Sequence, residues 1–339
     1  MKHLAWNCRR LGNRYAIREL VDIVQAQDPM IVFFSETWSN TKNMRWIKDR
    51  IGFDGCFTVL NTGRGGGLAL LWRANANVWV DSFSTYHIDS IINGCSENAW
   101  RHIGFYGELD RSKDDGWNMF HMLSSKPKLP WCCFGDFNEL LKVKDKKGGV
   151  PRTHNLMQSF RDVLDQCSFV DLGFTRPDYT WYGRRWGELI WERLDKGVAN
   201  YEWLARFPTD RVKHLNCFTS NHQPIILSLA ANGEQQRWRR KLFRFEAMWT
   251  LNPTCREAIS KAWDCTTEGT PMFKATRKLQ RCKKSLKAWN RDHFGNVQRN
   301  IKQVKDRLWR VEEVSTRSRD YGQVAKLKSE LNALYDKEE

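Results

Sequence analysis

Short uninterrupted apolar runs recur through the first 230 residues of the chain and predict buried β-strands. A strand that is covered on both faces reads as a continuous apolar run of four to eight residues. Runs of this kind, or shorter ones with the same character, lie at residues 4–6, 30–34, 68–72, 131–134 and 224–229. We therefore expect several buried strands in this part of the chain.

Amphipathic stretches between these runs predict helices. Residues 14–27 place Ile17, Leu20 and Val24 on one helical face, and residues 157–167 place Phe160 and Leu164 in the same way. Mixed strands and helices over this length indicate an α/β sandwich of the α+β kind. The 17 Trp and 18 Phe supply enough apolar surface for a large core.

The pattern changes after residue 230. Polar residues at 231–236 and a basic cluster at 237–241 lead into segments with helical periodicity at 273–290 and 297–334. The sequence thus predicts two domains, 1–230 and 231–339, the second a basic helical segment. The apolar positions of 297–334 also fit a helical hairpin or a short coiled coil, through which copies of the chain could self-associate; they are Ile301, Val304, Leu308, Val311, Val324, Leu327, Leu331 and Leu334.

Composition argues against a membrane or secreted protein. No stretch approaches about 18 uninterrupted apolar residues, and Met1 leads directly into the first strand without a signal peptide. Ten Cys occur at irregular spacing without a C-x-x-C motif, which favours a reduced compartment over a disulfide framework or a zinc site. We expect a nuclear or cytoplasmic protein that is not secreted.

Positive charge is concentrated in the second domain. The net charge is +16, and residues 236–339 contribute +12 of it, from 25 Lys and Arg against 13 Asp and Glu. One interpretation is that this segment binds a polyanion, with DNA as the partner and RNA as an alternative. The other is a solvated helical surface that is rich in lysine.

Polar residues that follow the predicted strands are candidates for chemistry. Glu36 follows the apolar run 30–34, and a carboxylate at a strand end is a suitable Mg²⁺ ligand, although a loop glutamate can also be an ordinary cap. Asp136 and Asn138 share the turn after 131–134, where they could orient a water for attack or simply form an Asx turn.

A histidine and a second carboxylate complete the candidate set. Asp195 and His222 are 27 residues apart and could meet across neighbouring strands, where the carboxylate would fix the tautomer of the imidazole. Tyr106 could donate its phenol to a phosphate oxygen or lie in the core. Such groups suit metal-assisted cleavage of a phosphodiester.

The order of these motifs resembles the endonuclease/exonuclease/phosphatase superfamily. It is more closely similar to the apurinic-type endonuclease domain of plant LINE-type non-LTR retrotransposons, and the likeness continues into the segment that follows the nuclease. The residues that carry it are 6–9, 35–37, 66–72, 105–107, 130–138, 147–149, 179–181, 192–195, 222–224, 243–249 and 289–295.

The resemblance implies a four-layered sandwich of two packed sheets flanked by helices, and a role for each site residue. Asn7 and Glu36 would hold a Mg²⁺ ion, with Mn²⁺ as an alternative, and position 221 would assist them. Asp136 and Asn138 would position the attacking water. Tyr106, Asn7 and Asn138 would contact the phosphate. His222, braced by Asp195, would stabilise the transition state. The implied reaction is nicking of DNA to leave a 3′-hydroxyl. The chain stops where the family's reverse transcriptase would begin, so we expect no copying of RNA.

Three residues depart from the pattern of the family. Asn221 stands where an Asp is expected, and Arg10 and Arg176 stand where Gly is usual. Losing the carboxylate could impair catalysis, and Arg at a turn that needs a positive φ would be strained. Two other hypotheses therefore stand beside the endonuclease: an inactive nucleic-acid-binding remnant, and a phosphoesterase of the same superfamily with a small-molecule or lipid substrate.

Overall fold

The chain divides into two compact units, Met1–Glu234 and Gln235–Glu339. The computed structural model describes residues 1–60, 66–107, 114–126, 129–175, 177–185, 187–207, 211–229, 245, 249–250, 252–264, 266, 268–293, 295–318 and 322–338. The predicted domain boundary at residue 230 stays a prediction because it lies outside these residues. The same holds for Arg176, the basic cluster 237–241 and most of the motif 243–249.

The first unit contains all the strands that the structure describes. They are β1 (Lys2–Asn7), β2 (Ile31–Ser35), β3 (Gly55–Val59), β4 (Leu68–Trp72), β5 (Val78–Phe83), β6 (His87–Ile92), β7 (Trp100–Tyr106), β8 (Trp131–Asp136), β9 (Lys146–Lys147), β10 (Phe169–Asp171), β11 (Phe174–Thr175), β12 (Trp181–Arg185), β13 (Glu188–Glu192), β14 (Asp195–Asn200), β15 (Val212–His214) and β16 (Ile225–Ser228). The α-helices among the described residues are α1 (Arg14–Gln27), α2 (Thr41–Ile51), α3 (Asp114–Ser124), α4 (His154–Gln166), α5 (Tyr201–Arg206), α6 (Pro253–Trp263), α7 (Pro271–His293), α8 (Gly295–Ser318) and α9 (Gly322–Glu338).

Two mixed sheets form the centre of the first unit. The first sheet has the order β11-β15-β16-β1-β2-β4-β3, and the second has the order β10-β14-β8-β7-β6-β5. A small third sheet, β12-β13-β9, accompanies them. The pairs β1–β2 and β7–β8 are parallel, so each pair ends at a common edge of its sheet.

The core lies in three apolar layers. The inner faces of the two sheets pack together, with residues such as Phe33 and Leu70 facing Ile88 and Phe134. Helices α1 and α2 cover the outer face of the first sheet, and α3 and α4 cover the outer face of the second. The structure confirms the predicted α/β sandwich of two sheets flanked by helices.

The predicted elements of this unit agree with the structure. The five apolar runs fall in β1, β2, β4, β8 and β16, and the predicted helix 14–27 is α1. The predicted helix 157–167 lies in α4, which begins three residues earlier. Asn13 caps α1, since its side chain accepts a hydrogen bond from the amide of Tyr15.

The beginning and the end of the first unit are joined in one sheet. Strand β1 is hydrogen-bonded to β16 in an antiparallel register that pairs Lys2 with Ser228. The amino group of Met1 donates to the Leu229 carbonyl oxygen at 2.9 Å, and the Leu229 amide donates to the Met1 carbonyl oxygen at 2.7 Å. The first strand therefore receives its antiparallel neighbour from the end of the unit.

The second unit is helical, as the sequence predicts. Helices α6 and α7 pack through Cys255, Leu286 and Trp289, and the Trp289 indole donates to the Thr254 hydroxyl at 2.8 Å. In α8 and α9 the buried residues are Ile301, Val304, Leu308, Leu327, Leu331 and Tyr335. The periodicity read from 297–334 belongs to two helices, because α8 ends at Ser318 and α9 begins at Gly322.

Among the described residues, no helix is both long enough and apolar enough to cross a membrane. The nine cysteines that the structure describes are free thiols, and most of them are buried.

Candidate active site

The candidate residues meet where strands of both main sheets end. Asn7 is the last residue of β1, and Glu36 follows the last residue of β2. Tyr106 and Asp136 end β7 and β8 and are paired in register, and Asp195 is paired with Asp136 from β14. The packing of the two sheets therefore brings together residues that are distant in the sequence.

The Asn7 side chain lies at the centre of the site. Its amide nitrogen donates to Glu36 Oε1 at 2.8 Å and to Asp136 Oδ2 at 2.9 Å, and it lies 3.5 Å from His222 Nε2. All four residues are buried. One amide thus joins the two carboxylates and the imidazole that the sequence predicts as partners.

His222 lies between two carboxylates. Its Nδ1 is 3.0 Å from Asp195 Oδ2 and 3.6 Å from Asp136 Oδ2. Burial by itself lowers the pKa of His222, but the Asp195 and Asp136 carboxylates outweigh this effect and raise it above its ordinary value. Because Asp195 contacts Nδ1, the other ring nitrogen, Nε2, faces Asn7.

The pKa of Asp136 is also raised. Burial is the main cause, the negative charge of Asp195 adds to it, and His222 and Asn7 oppose it. A carboxylate with a raised pKa is a stronger base than an exposed aspartate. This is the direction expected for a group that accepts a proton from water.

The Tyr106 phenol donates to Glu36 Oε1 at 3.1 Å. Burial raises the pKa of Tyr106, and the neighbouring Glu36 and Asp136 carboxylates raise it further, so the phenol keeps its proton. The structure places Tyr106 in the site as a hydrogen-bond donor. Its predicted contact with a phosphate stays a prediction.

The turn that follows β8 is both an Asx turn and part of the site. The Asn138 amide donates to Asp136 Oδ1 at 2.9 Å, and the Asn138 side-chain nitrogen donates to the Gly107 carbonyl oxygen at 2.9 Å. Gly135 has φ of 151°, and a Cβ there would lie 2.1 Å from the Phe105 carbonyl oxygen. Glycine is required at 135 because β7 and β8 approach too closely for a side chain.

Asn221 is not hydrogen-bonded to the other site residues. Its amide nitrogen donates to the Tyr182 carbonyl oxygen at 3.2 Å, and its Oδ1 is buried without a hydrogen-bond partner in the described structure. The predicted metal-binding role of Asn221 therefore stays a prediction without a contact to support it.

Several supporting residues have hydrogen-bonding roles that the sequence does not indicate, although Trp6 and Thr180 lie within motifs that carry the family resemblance. The Ser220 hydroxyl donates to the Asn7 carbonyl oxygen at 2.9 Å and accepts from the His222 amide at 3.1 Å. The Thr180 hydroxyl accepts from the Asp195 amide at 2.9 Å. The Trp6 indole donates to the His222 carbonyl oxygen at 3.2 Å. Hydroxyl and indole groups of this kind occur throughout the chain, so only their positions in the fold reveal these hydrogen-bonding roles.

Two arginines lie beside Glu36. Arg9 Nε is 3.3 Å from Glu36 Oε2, and the Arg10 amide donates to the Glu36 carbonyl oxygen at 2.9 Å. Arg9 has φ of 41° and Arg10 has φ of 95°. Arg10 therefore has the positive φ that the sequence predicts for this turn, and such a conformation is costly for any residue with a Cβ.

The site has the donors that a divalent cation requires. Glu36, Asp136 and His222 each offer a ligand atom, and these atoms lie within 4.8 Å of one another. Asn7 Oδ1 is buried and has no hydrogen-bond partner among the described residues. Oxygen donors of this kind suit Mg²⁺, and a cation would offset the charge of the buried carboxylates, so the residues fit the predicted metal.

Comparison with protein families matches most of the chain. The sequence pattern of the Endonuclease/Exonuclease/phosphatase family matches residues 4–251. No curated protein matches the chain.

Solved structures resemble the chain in fold. The endonuclease domain of TRAS1, a telomere-specific non-LTR retrotransposon, is 16% identical with a TM-score of 0.50. The 3′ phosphatase NExo from Neisseria, bound to a product DNA hairpin, is 16% identical with a TM-score of 0.53. An AP endonuclease from Archaeoglobus fulgidus is 17% identical with a TM-score of 0.52. Each similarity covers 68% of this chain and 99% of the other, and at these identities it shows the fold alone.

Proposed function

The chain belongs to the endonuclease/exonuclease/phosphatase family, and from this membership we propose that it is a metal-dependent DNA endonuclease. It would hydrolyse one phosphodiester bond and leave a 3′-hydroxyl. The observation that carries the proposal is the buried cluster of Glu36, Asp136 and His222, joined through Asn7 and supported by Asp195.

Glu36, with Asn7 Oδ1, would hold Mg²⁺, or Mn²⁺ in its place. When bound, the cation supplies Lewis-acid stabilisation of negative charge on the phosphate. The Tyr106 phenol and the Asn7 amide orient the Glu36 carboxylate by hydrogen bonds. A carboxylate that is fixed in this way is already arranged for a cation before one arrives.

Asp136 is the proposed base. Each of its oxygens accepts one hydrogen bond, from the Asn138 amide and from Asn7, so the carboxylate is oriented while lone pairs remain for a water. The water oxygen attacks phosphorus as Asp136 takes the water proton. The bond from phosphorus to the 3′ oxygen breaks, and that oxygen takes a proton from solvent to become the 3′-hydroxyl.

His222 is the proposed stabiliser of the transition state. The raised pKa of His222 favours the protonated imidazole, and Asp195 at Nδ1 fixes the orientation of the ring. Nε2–H can then donate to a phosphate oxygen on which charge develops. Donation of this kind accelerates the reaction because the charge is greater in the transition state than in the substrate.

We also propose that the chain derives from a non-LTR retrotransposon. The motif likeness noted in the sequence supports this origin. The basic second unit supports a nucleic-acid partner, with DNA favoured and RNA as an alternative. A DNA substrate and the basic cluster at 237–241 favour a nuclear location.

Nicking of supercoiled plasmid in the presence of Mg²⁺ tests the proposal. The expected result is an open-circular product that EDTA prevents and that is reduced at least about a hundredfold by His222→Ala. The matched control is His121→Ala, which removes an exposed histidine of α3 and should leave nicking unchanged. Unchanged nicking by the His222 variant would show that the assigned site is wrong.

A second candidate function, an inactive nucleic-acid-binding remnant, is favoured by Asn221. An Asp at this position would place a carboxylate oxygen near the Tyr182 carbonyl oxygen, which now accepts a hydrogen bond from the amide. The plasmid assay with Asn221→Asp separates the candidates. Nicking by the parent supports the endonuclease, and nicking by the Asp variant alone shows that one amide silenced an intact site. A remnant is supported if neither protein nicks although both are folded and bind DNA.

A further inference from the structure

Three chain segments beside the site are joined by backbone hydrogen bonds: the loop after β1, the loop after β2 and the segment before β4. The Arg10 amide of the loop after β1 donates to the Glu36 carbonyl oxygen at 2.9 Å. On the other side, the Trp38 amide donates to the Gly66 carbonyl oxygen at 2.6 Å. The residues that flank the Glu36 carboxylate therefore belong to one connected rim.

This rim contains an unusual concentration of strained backbone. Arg9, Arg10, Glu36 and Trp38 all have positive φ, at 41°, 95°, 50° and 47°. Residues with a Cβ rarely adopt this conformation, and they keep it only where the surrounding structure enforces it. Strain of this kind is typical of loops that must present particular side chains to a ligand.

The Trp38 side chain on this rim exposes a large apolar surface to solvent. It is 51% exposed, two residues after Glu36. A Cβ at Gly66 would lie 2.6 Å from Trp38 Nε1, so the absence of a side chain at 66 makes room for the indole. The ring is thus supported from one side by backbone and exposed over about half of its surface.

Arg9 supplies a positive charge on the same rim. Its Nε lies 3.3 Å from Glu36 Oε2, and its side chain is also 51% exposed. A guanidinium and an exposed aromatic ring on the same rim match the two parts of a nucleotide, because the guanidinium binds phosphate and the ring stacks on a base.

We propose that Trp38 stacks on a nucleobase next to the cleaved phosphate, while Arg9 binds a phosphate of the same strand. The ligand is a nucleotide whose base is unstacked from its neighbour, as in single-stranded or locally opened DNA. This inference rests on the proposed nuclease function and adds a subsite to it. Stacking requires an exposed face of a fixed ring, and Trp38 has both properties.

Trp79 provides a matched control because it is an exposed tryptophan far from the site. It is 70% exposed in β5, where it pairs with Ile91, which in turn pairs with Arg101 of β7. Tyr106 lies five residues further along β7, so Trp79 is at the level of the opposite end of this strand, about 17 Å away at the rise of a β-strand.

Quenching of 2-aminopurine fluorescence tests the proposal in the full chain. The probe is a single-stranded oligothymidylate with 2-aminopurine at every fourth position and a fluorescein at one end, with EDTA present to prevent cleavage. Fluorescein anisotropy reports whether the strand is bound by any part of the chain. Quenching of 2-aminopurine reports whether a bound base is stacked on an aromatic ring.

The parent should bind the strand and quench 2-aminopurine, and Trp38→Phe and Trp79→Ala should quench as the parent does. Trp38→Ala should lose at least half of the quenching at matched anisotropy. In the nicking assay, its apparent affinity for DNA should be weaker about fivefold or more. Arg9→Gln should keep the quenching. In the nicking assay, the slope of the logarithm of its DNA affinity against the logarithm of salt concentration should fall by about one, as expected when one phosphate is no longer neutralised.

Equal quenching by Trp38→Ala on a bound strand would overturn the stacking subsite and leave the nuclease proposal intact. A parent that does not bind the strand would overturn the nucleic-acid substrate and the subsite with it.

Discussion

At the scale of single residues, the candidate site depends on buried polar groups that contact one another. Asn7 illustrates this, because a single amide contacts Glu36, Asp136 and His222. Each of these residues could be proposed from its place after an apolar run or turn. The contacts between them could not, since they depend on how the two sheets pack.

Lys196 is a buried charge that the sequence gives no reason to expect. Its ammonium donates to the carbonyl oxygens of Glu139, Arg193 and Leu194. Burial is the main cause that lowers the pKa of Lys196 to about 8, and the charge of Arg193 contributes. The three carbonyl acceptors explain how a lysine with an almost fully buried side chain is tolerated next to Asp195.

The lowered pKa of Lys196 predicts how stability changes with pH. Below about pH 8 the lysine is charged in both states and the folded protein bears the cost of burying the charge. As pH rises further towards the ordinary lysine value of about 10.4, the unfolded chain binds more protons than the folded one, so this contribution becomes more favourable. The free energy of unfolding of the parent should therefore increase relative to that of Lys196→Met between pH 8 and pH 10.

Urea denaturation of the two proteins at several pH values measures this difference. The effects of other titrating groups cancel in the comparison because both proteins share them. Parallel pH profiles would contradict a pKa of about 8 for Lys196.

At the scale of elements, strands that are apolar throughout could be predicted, and strands that bury polar residues could not. Strand β4 coincides with the apolar run Leu68–Trp72. Strand β7 contains Arg101 and His102, and β14 contains Asp195 and Lys196, yet every residue of both strands is buried. Their polar side chains interrupt the apolar pattern, and only tertiary partners such as Asp89 beside Arg101 explain their burial.

The close approach of β7 and β8 predicts the effect of a single methyl group. Gly135→Ala would place a Cβ against the Phe105 carbonyl oxygen, and we expect a loss of roughly 2–4 kcal/mol in the free energy of unfolding. Gly173→Ala is the matched control, because Gly173 also has positive φ but has open space around it. It should cost only about 1–2 kcal/mol for the backbone conformation. Thermal or urea unfolding of both variants measures the two costs. Equal losses of unfolding free energy would show that the backbone shifts to remove the contact between the new Cβ and the Phe105 carbonyl oxygen.

At the scale of the whole molecule, the distribution of charge predicts which part of the chain carries the proposed binding to DNA. Removing residues 237–339, which hold most of the net positive charge, should weaken binding to duplex DNA and reduce its dependence on salt. The far-UV circular dichroism and the cooperative unfolding of the first unit should remain. Fluorescence anisotropy across a salt series measures the affinity, and unchanged affinity would refute the assigned role of the second unit.

A variant of the full chain serves as the control for this deletion. Lys274 and Lys284 are exposed on α7, and replacing both with Gln removes charge without removing any helix. The slope of log affinity against log salt should fall by about one to two, because each lysine that neutralises a phosphate releases about one counterion. A basic tail could be predicted from composition, but its division into α6, α7, α8 and α9 could not be located closely, because their boundaries depend on packing.

The pairing of β1 with β16 has a consequence for synthesis on the ribosome. Lys2 pairs with Ser228 and Asn7 contacts His222, so neither contact can form until the end of the first unit has been synthesised. These contacts, which are very distant in the sequence, join the two ends of the unit. Contacts this distant in sequence make folding slow and cooperative. A nascent chain that stops before residue 222 contains Glu36 and Asp136 but has no imidazole to place beside them. If the chain is the proposed nuclease, incomplete translation products should be unable to cut nucleic acid, and cleavage should begin only after almost the entire first unit has left the exit tunnel.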